Sequence, residues 1–300
     1  MKLVRSIAEG SFSELLEQYQ DGDVIVANPS MGHGERVDFA PHQEGYVLAC
    51  EGRRLLLNGM ELLYEEEGHC HVGREQNLLG FLTYEATETG RRCLLNGKLL
   101  YEGPGQCIPH PQGILVISTN EVHLVTPNGN RLLTSKYDER HHLAPAYDGC
   151  IIIDYDESGK VWLNDGYIFT LPETFSFGGD EWYRPDLEDD GIFGYKDGII
   201  LHCDTGDVVV MDFTGGLKHS FNSQAYTEGG DVMFHPELGV ISAEEIKLND
   251  REYAIRFSIM GVPFNTVSGC TWSDPLGLHP MGVFVSRYEH QELLFIPFPK

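Results

Sequence analysis

The sequence predicts an all-β chain that repeats one four-stranded unit, and three observations lead to this fold class. A glycine opens an apolar strand at intervals of about 40 residues along the chain. Several pairs of apolar strands are separated by Asn-Gly, the dipeptide that suits a two-residue hairpin turn. Apolar residues at helical spacing are missing from the units, which excludes a solenoid of helices.

The repeated unit contains four short strands, and its second strand begins at the recurring glycine. In several copies a Pro-containing turn precedes this residue. The second halves of two copies agree closely: residues 54–59 followed by 61–65 match residues 92–97 followed by 98–102. The sequence therefore predicts seven four-stranded antiparallel units, anchored at Gly45, Gly80, Gly113, Gly149, Gly198, Gly239 and Gly282.

Four antiparallel strands in a unit of about 40 residues are typical of a β-propeller blade. Over residues 23–298 the chain resembles the seven-bladed WD40-like β-propellers. The resemblance is one of architecture. It implies no particular functional family, and it transfers no catalytic residues.

A short helix is predicted near the N-terminus, from Phe12 to Tyr19. Its apolar residues recur at helical spacing, and Ser11 with Glu14 three positions later forms a capping box. We expect this helix to pack on the side or rim of the propeller; an alternative is a separate partner-binding helix. Residues 1–22 are thus predicted as a helical segment that precedes a single propeller domain over residues 23–300.

The last unit lacks a fourth strand before the chain ends. Its three strands are predicted around residues 271–273, 283–285 and 293–296. Residues 23–27 form an apolar strand that belongs to no other unit. We predict that this strand pairs into the seventh blade, closes the ring and removes an exposed sheet edge.

Composition excludes two classes of function. Against 21 Lys and Arg stand 46 Asp and Glu, a formal net charge of −25. Neutralising phosphates requires a basic face, so we expect no nucleic-acid partner. The apolar runs are far shorter than the roughly 18 residues of a membrane helix, so we expect no membrane partner. The missing signal-peptide pattern and the seven scattered cysteines favour the cytoplasm.

The longest interval between units contains an insertion over residues 172–190. From residue 175 to residue 190 it combines four aromatic residues, six acids and a single Arg. Aromatic anchors among steering charges are typical of a protein interface, and the WD40-like resemblance implies a face that often binds partners. The alternative is a solvated loop in which Trp182 and Tyr183 cover a blade edge. The candidate partner-binding residues are Phe175, Phe177, Asp180, Glu181, Trp182, Tyr183, Asp186, Glu188, Asp189 and Asp190.

Histidines form a second candidate site, because imidazole groups near a propeller channel can bind zinc or a similar metal. His69, His71, His141 and His142 fall at the starts of innermost strands of two units. His110, His235 and His279 fall at or after the ends of such strands, so the histidines divide between two faces. This division favours structural roles over a metal site.

No nucleophile elbow, zinc-protease motif, P-loop or dinucleotide-binding motif is present. We therefore predict no catalytic residues and no cofactor, and a non-enzymatic protein-binding propeller with an acidic surface. One concrete form is an inhibitor or immunity protein that neutralises a basic toxin or nuclease. The alternatives are a metal-dependent hydrolase or lyase that uses the four channel histidines, and a scaffold subunit of a larger assembly.

Overall fold

A computed structural model describes residues 3–7, 11–27, 38–50, 54–65, 78–88, 90–154, 159–171, 174–177, 180–183, 191–202, 207–222, 230–249, 252–270, 276–287 and 292–300. The chain forms two compact units. The first comprises Met1–Pro104, Glu245–Phe257 and Pro263–Lys300, and the second comprises Gly105–Glu244 and Ser258–Val262. Apart from one α-helix, the regular structure of the described residues is β-strand, as predicted.

The N-terminal part of the first unit contains β1 (Leu3–Ser6), α1 (Phe12–Gln18) and β2 (Val24–Ala27). Two sheets follow. The first consists of β3 (Asp38–His42), β4 (Gly45–Cys50), β5 (Arg54–Leu57) and β6 (Glu61–Glu65). The second consists of β7 (Leu82–Thr87), β8 (Gly90–Leu95) and β9 (Lys98–Gly103). In both sheets the strands pair antiparallel in chain order.

The second unit begins with a sheet of β10 (Gln106–His110), β11 (Gly113–Ser118), β12 (Glu121–Thr126) and β13 (Gly129–Thr134). Next come β14 (His141–Ala146), β15 (Gly149–Asp154), β16 (Lys160–Leu163) and β17 (Gly166–Thr170), and then the short strands β18 (Thr174–Phe177) and β19 (Asp180–Tyr183). A further meander contains β20 (Gly191–Tyr195), β21 (Gly198–His202), β22 (Asp207–Met211) and β23 (Leu217–Asn222).

The remaining strands form two sheets. One contains β24 (Gly230–His235), β25 (Gly239–Asn249), β26 (Glu252–Ile259) and β27 (Val262–Ser268) in that order. The other contains β28 (Leu276–His279), β29 (Gly282–Arg287) and β30 (Glu292–Pro297). The sequence predicts the first strand of this last sheet at residues 271–273, which lie outside the described residues; the strand that the structure shows begins at Leu276.

Within the second unit, the first strands of two successive four-stranded meanders lie side by side and join them into one eight-stranded sheet in the order β17-β16-β15-β14-β20-β21-β22-β23. β14 and β20 touch in parallel at Ala146 and Gly194, and the Tyr147 N–H donates to the Gly194 carbonyl at 2.8 Å. A Cβ on Gly194 would lie 2.5 Å from the Ala146 Cβ, so glycine permits this close approach. Successive four-stranded meanders with adjacent first strands have the topology of a β-propeller. The number of seven blades stays a prediction.

The predicted closing strand is confirmed. β2 pairs antiparallel with β30, with Ile25 opposite Phe295 and Ala27 opposite Leu293. β1 then pairs parallel with the other edge of β2, which the sequence did not predict, and the sheet order becomes β1-β2-β30-β29-β28. β2 thus supplies the fourth strand of this sheet, and β1 covers the outer edge of β2.

The predicted helix is confirmed from Phe12 to Gln18, with Tyr19 as its C-cap. Both hydrogen bonds of the Ser11 and Glu14 capping box are present, at 3.3 and 3.4 Å. The Phe12 ring meets the Phe295 ring edge-on at a centroid distance of 5.0 Å. The helix therefore covers the core of the sheet that β2 completes.

An asparagine in the turn between the third and fourth strands explains much of the repeat. Asn58 adopts a left-handed φ of 52° and accepts a hydrogen bond from the Tyr46 N–H at its Oδ1, at 3.1 Å. Its Nδ2 donates to the Glu44 carbonyl at 2.8 Å. We call this pair of bonds the asparagine clamp, because it fastens the turn to the start of the second strand. The same clamp ties Asn96 to Phe81 and Leu79, and Asn164 to Cys150 and Asp148.

The clamp accounts for the anchoring glycines of three sheets. Gly45, Gly80 and Gly149 have φ values of 127°, 143° and 146°, which side chains rarely adopt. A Cβ at each would fall on the amide oxygen of the clamping asparagine. Only glycine leaves room for the clamp.

Aromatic residues of the fourth strands pack on glycines of the following sheet. A Cβ on Gly97 would lie 2.6 Å from Tyr64 of β6, and one on Gly215 would lie 2.9 Å from Phe169 of β17. A Cβ on Gly261 would likewise lie 3.0 Å from the Phe221 ring. Each ring thus fills the space over a glycine, which brings the outer parts of successive sheets into contact within a unit.

Candidate functional site

The connection between β17 and β20 contains a hairpin of its own. β18 and β19 pair antiparallel, with Phe175 opposite Trp182 and Phe177 opposite Asp180. Among the strands that the structure describes, these two pair only with each other. The hairpin therefore belongs to no blade-like sheet, and we call it the insertion hairpin.

The insertion hairpin contains six of the ten predicted partner-binding residues. Phe175 and Phe177 lie on β18, and residues 180–183 are Asp180, Glu181, Trp182 and Tyr183 of β19. Asp186, Glu188, Asp189 and Asp190 lie outside the described residues. The two strands were not predicted. Their signal in the sequence is the aromatic residues on either side of Gly178-Gly179, because aromatic residues favour strands and a glycine pair suits a hairpin turn.

Four histidines end the first strand of a sheet and fold back over the turn that follows. The Nδ1 atom of His110 accepts a hydrogen bond from the Gln112 N–H at 3.0 Å. His279 accepts in the same way from the Met281 N–H, also at 3.0 Å. His42 and His235 repeat this contact with Glu44 and Glu237, both at 3.1 Å.

The other ring nitrogen joins one sheet to the next. Nε2 of His279, on β28, donates to the His42 carbonyl at the end of β3, at 2.8 Å. Nε2 of His110, on β10, donates to the Ala146 carbonyl at the end of β14, also at 2.8 Å, and lies 3.1 Å from the Gly149 carbonyl. Both ring nitrogens of these two histidines are therefore engaged in structural bonds, and we call this arrangement the histidine staple.

The staple requires a neutral imidazole, because Nδ1 accepts while Nε2 donates. His110 is completely buried. Burial lowers its pKa from 6.5 to about 4, although the hydrogen bonds to the Ala146 and Gly149 carbonyls oppose this shift. Arg131 lowers the pKa further and Asp148 raises it. His110 is therefore uncharged at neutral pH.

The predicted metal-binding histidines divide between described and undescribed parts of the chain. His69 and His71 lie outside the described residues. His141 and His142 begin β14, as expected. The Nδ1 atom of His141 accepts from the Asp138 N–H at 3.1 Å, and burial lowers the pKa of His142. Across the residues that the structure describes, no group of three or more His, Cys, Asp and Glu side chains could hold a metal ion.

Sequence reasoning placed the staple histidines at strand ends but missed what they do. The four histidines whose Nδ1 accepts a hydrogen bond from the following turn share a signal in the sequence, because each precedes an anchoring glycine by three or four positions, as in His110 with Gly113 and His235 with Gly239. The structural interpretation of these histidines is supported by their hydrogen bonds. In the described part of the chain, no helix is both long and apolar enough to cross a membrane.

Comparison with known proteins gives structural neighbours alone. No family model and no curated protein matches the chain. It is similar to BBS1N, crystallised in complex with ARL6DN, at 12% identity and a TM-score of 0.46, with 99% of each chain covered. The C-terminal WD40 domain of Sif2 matches at 11% identity and a TM-score of 0.42, over 92% of this chain and 85% of that chain. The WD40 β-propeller domain of Doa1 matches at 13% identity and a TM-score of 0.42, over 92% of this chain and 96% of that chain.

Proposed function

We propose that the chain binds another protein, one with a basic surface, through the insertion hairpin and the acidic residues that follow it up to residue 190. The observation that carries this proposal is a hairpin of aromatic and acidic residues that forms a sheet of its own. No catalytic group is required by this function.

The insertion hairpin has no counterpart at two corresponding connections of the described chain. β9 joins β10 through residues 104–105, and β13 joins β14 through residues 135–140, without any strand. Residues 171–190 likewise join the last strand of one meander to the first strand of the next, but they contain an added hairpin. A two-stranded hairpin is marginally stable by itself in water, so further contacts with a partner would stabilise it. We infer that the insertion serves binding and not closure of a sheet.

Charge and composition support a basic protein as the partner. The insertion carries six acids and one Arg between residues 175 and 190, in a chain of net charge −25. Such a field speeds encounter with a cationic protein and weakens with salt. Trp182 and Tyr183 belong to the residue types that contribute most of the binding energy at interfaces. The specific form that we propose is an inhibitor or immunity protein that occupies a basic toxin or nuclease.

The proposal is tested with the full chain immobilised and exposed to a native extract at low and at high salt. The double variant Trp182→Ala/Tyr183→Ala is compared with Tyr167→Ala, which removes an exposed tyrosine of the neighbouring β17. We expect wild type and Tyr167→Ala to retain the same protein at low salt. The double variant should retain at least about tenfold less, because two hot-spot aromatics are lost, and its melting temperature should match that of wild type.

Three outcomes would contradict the proposal. The double variant could retain the protein as well as wild type does, which would exclude the hairpin as the contact. Retention could be indifferent to salt, which would exclude the electrostatic attraction. Equal loss in Tyr167→Ala would show that the effect is not specific to β19.

A further inference from the structure

Three Asn-Gly pairs occur in the chain, at residues 58–59, 96–97 and 128–129. Asn-Gly is chemically labile, because the glycine N–H is unshielded by a side chain and can attack the preceding side-chain amide. Attack requires that the asparagine side chain be free to rotate towards the glycine nitrogen. The three asparagines differ in how firmly hydrogen bonds hold their side-chain amides.

Asn58 and Asn96 are fixed by the asparagine clamp. The amide of Asn58 accepts at 3.1 Å and donates at 2.8 Å, and that of Asn96 accepts and donates at 3.1 Å. The backbone N–H of each asparagine also donates to a carbonyl, that of Asn58 to Tyr46 at 2.8 Å and that of Asn96 to Phe81 at 3.0 Å. Rotation of either amide towards its glycine would break two hydrogen bonds.

Asn128 lies in the turn between β12 and β13 and is exposed. The bonds of this turn come from Thr126, whose hydroxyl accepts from the Asn128 N–H and donates to the Gly129 carbonyl, both at 3.2 Å. Over residues 90–154, which the structure describes without a gap, no hydrogen bond holds the Asn128 side-chain amide. A Cβ built on Gly129 would have no atom within 4 Å, so the surroundings are open.

We propose that Asn128 is a spontaneous deamidation site of the folded chain and that the clamp protects Asn58 and Asn96. The Gly129 nitrogen loses its proton and forms a bond to Cγ of Asn128, while the bond from Cγ to Nδ2 breaks and the nitrogen leaves as ammonia. Water then opens the resulting succinimide at either carbonyl. The products are aspartate and isoaspartate, and the net reaction consumes one water and releases one ammonia.

Deamidation of a clamping asparagine would break the clamp. Deamidation of Asn58 would replace the Nδ2 donor with a carboxylate oxygen facing the Glu44 carbonyl, an arrangement without a donor. Asn128 makes no such contact, and its conversion adds one negative charge at an exposed turn. One hydrogen bond changes an equilibrium constant by a factor of about 5.5, so two clamp bonds should slow deamidation by roughly thirtyfold.

The test is incubation of the purified full chain at mildly alkaline pH, followed by peptide mapping with mass spectrometry that separates aspartate from isoaspartate. We expect Asn128 to convert roughly thirtyfold faster than Asn58 and Asn96 in the folded protein. In urea, where the clamp is absent, the three sites should convert at similar rates. Asn128→Gln should remove the product at this site and leave the slow rates of the other two unchanged.

Equal rates at the three sites in the folded chain would overturn the proposal. Persistence of the slow rates of Asn58 and Asn96 in urea would also overturn it, because protection would then come from local sequence and not from the clamp. These outcomes are independent of whether the insertion hairpin binds a protein.

Discussion

The histidine staple makes a quantitative prediction about acid. His110 is completely buried and both its ring nitrogens bond to the backbone, Nδ1 to the Gln112 N–H and Nε2 to the Ala146 and Gly149 carbonyls. Protonation would place a second N–H against the Gln112 N–H, and it would place a charge where no water can solvate it. Lowering the pH should therefore destabilise the fold through this residue.

The sign and size of this destabilisation follow from the pKa of His110, which burial lowers from 6.5 in the unfolded chain to about 4. Because the folded value is the lower one, unfolding takes up a proton. The stabilisation is fully present above about pH 6.5 and is lost as the pH falls towards 4, at about 1.4 kcal/mol per pH unit. The whole shift corresponds to about 3 kcal/mol, of which about 1.3 kcal/mol is expected between about pH 7.5 and about pH 5.5.

The assay is urea unfolding followed by circular dichroism at these two pH values, which stay above the isoelectric point of about 4.7. His110→Gln keeps a donor near the Ala146 carbonyl but cannot titrate. Leu62→Ala, at a position 52% exposed, is the control, because it removes no titratable group. We expect His110→Gln to lose about 1.3 kcal/mol less than wild type on acidification, and Leu62→Ala to behave as wild type. An equal loss in His110→Gln and wild type would refute the reasoning.

Two further predictions concern the framework. Gly149 and Gly129 have nearly the same φ, 146° and 143°, but only a Cβ at residue 149 would strike Asn164. Thermal and urea unfolding should therefore show that Gly149→Ala is less stable than Gly129→Ala by about 2 kcal/mol. Equal losses of stability in the two variants would exclude the steric argument. Ile25→Ala removes a fully buried side chain of the closing strand and should cost about 3 kcal/mol in the same assay, whereas Leu62→Ala, at a position 52% exposed, should stay within about 0.5 kcal/mol of wild type.

Much of the fold was predictable because its signals are local. The Asn96-Gly97 dipeptide fixes a hairpin through positive φ at both residues, which the structure shows as 51° and 74°. The capping box placed the start of α1 at Phe12. The closing strand was also predictable, since an apolar strand without a partner and a sheet short of one strand imply each other.

The parts that escaped prediction depend on tertiary partners. β1 is only four residues long and pairs parallel with β2, so no hairpin turn joins the two in sequence. The insertion hairpin lacks a repeat to compare with, and its only hairpin signal is the Gly178-Gly179 pair between short aromatic segments. The role of His110 was not visible, because a strand-end histidine in sequence does not reveal that the Ala146 carbonyl lies 2.8 Å from its ring.

The polar side chains that recur in the repeats already form hydrogen bonds that hold the strands together, so they are poor candidates for ligand binding. Both nitrogens of His110 and both amide atoms of Asn58 are engaged in bonds that join strands or sheets. A neutral histidine whose two nitrogens are both engaged cannot bind a ligand without breaking one of these bonds, and an asparagine that turns its amide towards a ligand gives up both clamp bonds, at a cost of about 1 kcal/mol or more for each bond. Substitutions in the clamp and the staple should therefore change the free energy of unfolding. Substitutions at Trp182 and Tyr183 should change binding and leave that free energy unchanged, so the two measurements together separate framework from function.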